Sequence, residues 1–387
     1  MSNYIPLSVP SLKGNELKYV EECIETEWVS SAGKYVDLFE QKTSEYTGAK
    51  YAVACVNGTA TLQVSLRLAG VKPGDEVIAP TLTFIAPINA IAYNGASPVF
   101  MDTDDYYNID SVKTIQFIRE ETEFRDGYTY NKTSGKRISA IIPVHVWGNA
   151  AWLDELIPLC QERNIAVVED ASESLGTIYI DGDNSEKHTG TVGEIGCLSF
   201  NGNKIITTGG GGMILTNDPN YAEKAKYLTT QAKDDPIRYV HDEVGYNFRL
   251  TNIQAALGVA QLEQLPDIFD QKQQIHKSYI KGIEKLNGLT LDKGPKYARN
   301  NHWLNILQIE SGIFGETPEQ LMNRLEESNI QTRPVWGLNH QQNPYRGFQS
   351  YKIEKAEELY NKSLCLPSSY NLKNESIDFI IDTIAHK

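Results

Sequence analysis

Short apolar runs rich in β-branched residues alternate with helix-patterned segments through the first two-thirds of the chain. No other feature limits the fold as much. Candidate strands are YAVACV (51–56), EVIAP (76–80), PVFMD (98–102), ISAIIPVHV (138–146), IAVVED (165–170), GCLSF (196–200) and GMILTN (212–217). Helix patterns such as TATLQVSLRLAG (59–70) and AAWLDELIPLCQERN (150–164) separate several of them. Strands that are apolar almost throughout, joined by helices, build a mostly parallel sheet covered on both faces. The expected class is therefore α/β, with a large, mostly parallel, seven-stranded sheet domain over residues 1–250.

Beyond about residue 250 the pattern changes. NIQAALGVAQLEQLPDIFDQKQQIHKSYIKGIEKL reads as a long helical stretch with Pro266 as a bend or break. A strand-like NHWLNILQIE, a helix TPEQLMNRLEESN and a strand-like QTRPVW follow, which predicts a smaller α+β domain over 251–387. The charged stretch 119–137 carries turn signals at Asp126-Gly127 and Ser134-Gly135 and reads as an exposed hairpin or loop. A length of 387 residues accommodates both domains with a sizeable core.

Composition removes whole classes of partner. The net charge is −14 and no Lys/Arg block occurs, which argues against nucleic acid. No apolar run approaches the roughly 18 residues that span a bilayer. The start lacks the basic cluster and apolar stretch of a secretory signal, so a cytoplasmic protein off the membrane is expected. The five cysteines are scattered without a C-x-x-C pair, which predicts buried thiols and neither a disulfide framework nor a metal site.

In an open parallel sheet, ligands bind beyond the carboxyl ends of the strands. Three groups of residues there bear on chemistry. In CVNGTATLQ a strand runs through Asn57-Gly58-Thr59 straight into a helix, whose unpaired amides suit a phosphate as well as they suit an ordinary cap. In VVEDASES, Asp170 ends a buried strand and needs a cation, whether from a side chain, a metal or a protonated heterocycle. In SFNGNKIITTGGGG, Lys204 precedes four glycines that let backbone pass close to whatever the lysine touches, although a surface lysine beside a flexible turn reads the same alone. Together their order meets the needs of pyridoxal phosphate: a phosphate cradle, a carboxylate for the ring nitrogen and a Schiff-base lysine.

With these blocks and GYNFRLTNIQAALG, TRPVWGLNHQQ and LCLPSS, the chain resembles the DegT/DnrJ/EryC1/StrS family of nucleotide-sugar aminotransferases over nearly its whole length. Its long 119–137 segment is similar to the branch serving legionaminic-acid-type sugars. The resemblance implies the aspartate-aminotransferase-like fold (PLP fold type I) and pyridoxal 5'-phosphate as cofactor. It implies Lys204 as the anchoring lysine and proton-transfer base, and Asp170 as partner of the ring nitrogen. Gly58, Thr59 and Ser199 would hold the phosphate, Asn201 would line the cofactor site and Phe84 would stack on the ring. Asn247 would reach the cofactor of the neighbouring subunit, so a homodimer with shared sites is expected.

Glu173 stands where many members have glutamine near the phenolic oxygen, and is expected to be protonated or displaced. His302, Arg333 and His340 would recognise substrate, while Arg249 would do so or, like His145, order the pocket. The implied reaction moves the amino group of glutamate onto carbon 4 of a nucleotide-linked 4-keto-6-deoxy sugar, most simply a UDP-linked N-acetylhexosamine, for surface-glycan or nonulosonic-acid synthesis. Family dehydratases carry histidine in place of Lys204, and a non-catalytic regulator would be expected to lack the lysine or the aspartate. A nicotinamide enzyme would need a glycine fingerprint that is absent.

Overall fold

The computed structural model describes residues 4–235 and 237–386. Its strands in chain order are β1 (Tyr51–Cys55), β2 (Glu76–Pro80), β3 (Ser97–Met101), β4 (Thr122–Arg125), β5 (Tyr128–Asn131), β6 (Arg137–Ile141), β7 (Ala166–Asp170), β8 (Ile178–Tyr179), β9 (Ile195–Ser199) and β10 (Gly212–Thr216). The C-terminal part adds β11 (Leu289–Leu291), β12 (Ala298–Arg299), β13 (Asn305–Ile309), β14 (Arg333–Pro334), β15 (Ser350–Tyr351) and β16 (Ser363–Leu366). All seven apolar runs read from the sequence become strands of one sheet, in the order β1-β10-β9-β7-β6-β2-β3-β15. From β9 to β3 neighbouring strands are parallel, whereas β10 is antiparallel to both β1 and β9. The run at 138–146 leaves the ladder early: β6 stops at Ile141, and the chain turns past Pro143 into a 3-10 turn at Val146–Gly148.

The sheet is wider than the seven predicted strands. β15 joins β3 in parallel, and the hairpin β4–β5 attaches through β5 to β6, giving ten strands. These additions are too short to carry a readable period. The hairpin is also less exposed than expected, because Thr129 and Asn131 are buried and Asn131 Nδ2 donates to Glu76 (2.7 Å) and Gln349 (2.6 Å). The second sheet, β11-β13-β16-β14, is antiparallel and packs beneath helices Pro318–Glu327 and Asn374–Ala385.

Of the bend or break expected at Pro266, the break does not occur, since Asn252–Ile283 is continuous over 32 residues. A mid-helix proline costs roughly 3 kcal/mol. Leu262, Leu265, Ile268 and Phe269 are all buried around it, and burying each such side chain contributes about 1.5–3 kcal/mol, which outweighs that cost. Thr251 starts this helix with a capping box to Gln254. The N-terminal half packs on helices Glu16–Glu25 and Lys34–Thr47, and the C-terminal half joins the core of the second sheet. All five cysteines are free and buried. No described helix is long and apolar enough to cross a membrane.

Candidate active site

A cavity of about 680 Å³ lies where the carboxyl ends of β7 and β9 and the turn after β1 face β14 and the segment 303–304. On one wall, Asn57 caps helix Gly58–Leu68 by accepting the Ala60 N–H at 2.8 Å. The amides of Gly58 and Thr59 precede the first intrahelical donors and both residues line the cavity, an arrangement that suits a phosphate. Gly58 is required there: a Cβ would stand 2.7 Å from Ser199 Cβ and 3.3 Å from Ser172 Oγ. Gly212 supports the same turn from behind, since a Cβ on it would meet the Asn57 carbonyl at 2.7 Å. Of the four glycines only Gly212 packs against this turn, Gly211 sits against Thr208 and Leu250, and none meets Lys204 or Glu173, which corrects the sequence expectation.

Gly58→Ala is expected to weaken pyridoxal phosphate binding by about 10- to 100-fold, by filling the turn, and its clash with Ser199 to destabilise the apoprotein by about 1–3 kcal/mol. Absorbance titration of the apoprotein with cofactor measures it.

The opposite wall carries the charges. Asp170, 4 % exposed at the end of β7, accepts the Ser172 N–H at 3.0 Å. No cation is paired with it among the described residues, although burying an ionised acid without one is costly. Lys204 projects from the loop after β9, its Nζ 3.3 Å from Glu173 Oε1. The other oxygen of Glu173 accepts the Trp147 N–H at 2.9 Å. Burial pushes the Glu173 carboxyl up to about 7, against the pull of Lys204. Holding that N–H in place, Trp147 adopts φ 60°, a conformation costing an aromatic residue about 1–3 kcal/mol and typical of functional sites.

Aromatic rings close the space. Trp147 and Trp336 stack with centroids 3.8 Å apart, Trp303 lies 6.1 Å from Trp147, and half-exposed Phe84 lies 6.0 Å from Trp336. Arg333 lines the mouth and is exposed.

The structure thus brings Gly58, Thr59, Phe84, Asp170, Glu173, Ser199, Asn201, Lys204 and Arg333 around one cavity. Four predicted residues do not line it. His302 turns away from its cavity-lining neighbour Trp303 and stacks on His276, with centroids 3.6 Å apart. Burial, with His276 and Lys272 nearby, holds its imidazole well below the usual range. His340 bonds Thr81 Oγ1 through Nδ1 at 2.7 Å. Asn247 is exposed, and its Oδ1 accepts from Arg249 Nε at 3.1 Å, away from the cavity of its own chain.

His145 lies under the floor, fully buried, with Nε2 2.9 Å from Glu169 Oε2 and Nδ1 accepting the Ala151 N–H. Burial would raise the Glu169 carboxyl, but His145 and the amides of Gly193 and Gly190 hold it below the usual range. Sequence reasoning missed Ser172, Trp147 and Trp336. Ser172 stands two residues after Asp170 and was open to notice, whereas the tryptophans meet only through the tertiary fold.

A phosphate turn, a buried acid without a cation and a lysine amine, set at strand ends of this sheet, form a site into which pyridoxal phosphate fits: these are the three groups it requires. The comparisons agree. The model of the DegT/DnrJ/EryC1/StrS aminotransferase family matches residues 10–385, and this chain belongs to that family. EpsN of Bacillus subtilis (strain 168), named as a pyridoxal phosphate-dependent aminotransferase, is 37% identical over 393 residues, covering 100% of this chain and 96% of EpsN. A GDP-perosamine synthase of Escherichia coli O157:H7 is 38% identical, covering 98% of each chain. Among solved structures, DesI in the presence of its TDP-sugar product aligns with a TM-score of 0.88 at 25% identity, covering 100% of this chain and 93% of DesI. The protein is a pyridoxal phosphate-dependent aminotransferase of the nucleotide-sugar type.

Proposed function

We propose that this enzyme transfers the amino group of glutamate onto carbon 4 of a nucleotide-linked 4-keto-6-deoxy sugar, with a UDP-linked N-acetylhexosamine as the first substrate class to test. The observation that carries the reading is the placement of Lys204 beside Glu173 in a cavity shared with Asp170 and the Gly58 turn. When bound, pyridoxal phosphate supplies an electron sink that makes a C–H bond beside the amine breakable. The protein does the rest. The Gly58 and Thr59 amides with Ser199 hold phosphate, and Asp170 keeps a proton on the ring nitrogen. The Lys204 amine, once free, carries a proton between the two carbons concerned. Glutamate and sugar enter the same cavity in turn, which predicts ping-pong kinetics.

Arg333 makes one side-chain hydrogen bond among the described residues, to the Thr332 carbonyl, leaving donors for a diphosphate. A homodimer accounts for Asn247 and Arg249, which would complete the partner's site. The stretch around them exposes Ile237 (84 %) and Val244 (77 %), apolar surface suited to a second copy.

The relatives named GDP-perosamine synthase support a second reading, in which the sugar is GDP-linked. Incubation with glutamate and UDP-, GDP- and dTDP-linked 4-keto-6-deoxy sugars decides between them. One member of the panel is expected to gain an amine at carbon 4, identified by mass and NMR. Amination of none of them would overturn the proposal.

A further inference from the structure

The Nζ of Lys204 lies 4.2 Å from the centroid of the Trp303 ring. That ring is held with unusual care. The Trp303 N–H donates to Asn301 Oδ1 (2.8 Å), its indole Nε1 donates to the Asn203 carbonyl (2.7 Å), and its own carbonyl accepts from Lys272 Nζ (2.7 Å). Lys272 is 3 % exposed on helix Asn252–Ile283, and no carboxylate pairs with it among the described residues. Its second partner is the Ser368 carbonyl. Burial alone pushes its amine down to about 7.

An uncharged amine has two N–H donors, and two carbonyls are what Lys272 meets. A lysine in such a place costs more to bury than the methionine that would fill the same volume. What it adds is the fixed Trp303 carbonyl.

We propose that Trp303 is a contact residue of the reacting amine, and that Lys272 is a positioning residue that fixes the ring over it through the Trp303 carbonyl. A ring face at this distance attracts the amine's positive end and screens the amine from solvent and reagents. Together with Glu173 it defines where Nζ points. The inference rests on Lys204 being the reacting amine, as proposed above.

The test uses cofactor-free protein and potassium cyanate, which modifies neutral amines, with the rate at Lys204 followed by peptide mass mapping. Trp303→Leu is expected to raise that rate about threefold or more, while Trp303→Phe, which keeps a ring face, stays within about twofold of the native protein. Lys272→Met is expected to raise the rate in the same direction, and the double variant K272M/W303L to react no faster than W303L alone. A merely structural lysine would not give that non-additivity. Should K272M fail to fold by its thermal melt, Lys272→Gln, which keeps an N–H donor on a shorter arm, takes its place with a smaller rise expected.

An unchanged rate in W303L overturns the contact, and lysine and tryptophan effects that multiply independently overturn the positioning role. Sugar amination by the native protein is assayed alongside. If it is absent, the proposed function fails, whereas the labelling rates judge the inference alone.

Discussion

Lys204→Ala is expected to abolish amination of the keto-sugar, a loss of at least about 10⁴-fold in kcat. The variant removes the one lysine amine that, among the described residues, the cavity presents, beside Glu173 and near the Trp303 ring. Little else should change. The cradle at Gly58, Thr59 and Ser199 does not touch the lysine through any hydrogen bond, so the cofactor should still bind by its phosphate. The protein should therefore take up pyridoxal phosphate but lack the visible absorbance of the lysine-bound form. Product mass and an absorption spectrum check both halves. Turnover within tenfold of native would end the assignment.

Asp170→Asn is expected to move activity and stability in opposite directions. Without the carboxylate, nothing on this wall keeps a proton on the ring nitrogen, and kcat should fall by about 10²–10⁴-fold. The apoprotein should gain about 1–3 kcal/mol, because a carboxylate 4 % exposed and without a cation is replaced by an uncharged amide. The gain should shrink when cofactor saturates the native protein, since the native acid then has its partner. Thermal melts of both proteins with and without pyridoxal phosphate measure this. An apoprotein destabilised by the substitution would show that Asp170 serves the fold instead.

The sheet was legible in the sequence because its strands are buried on both faces, so each shows as an unbroken apolar run. β15 and the hairpin β4–β5 were not, being short and partly polar. Pro266 misled for a different reason: local propensity argues for a break, and tertiary packing of its flanking leucines decides otherwise. At the site, Asp170 and Lys204 could be placed in one cavity because a parallel sheet opens at its strand ends, where β7 and β9 finish. His302 and His340 could not, since residue type near a motif does not say which way a side chain points. His302 and Trp303 are adjacent, yet only the tryptophan faces the cavity. The pairing of Glu173 with Lys204 and the Trp147 amide joins residues far apart in the chain, and no spacing rule announces it.

We propose that one amine, that of Lys204, bonds to the cofactor. Borohydride reduction of the protein loaded with pyridoxal phosphate, followed by peptide mapping, tests it directly. A single pyridoxyl group on Lys204 is the expected result. A label on Lys272, a buried amine that burial pushes down to about 7, or on no lysine at all, would overturn that assignment.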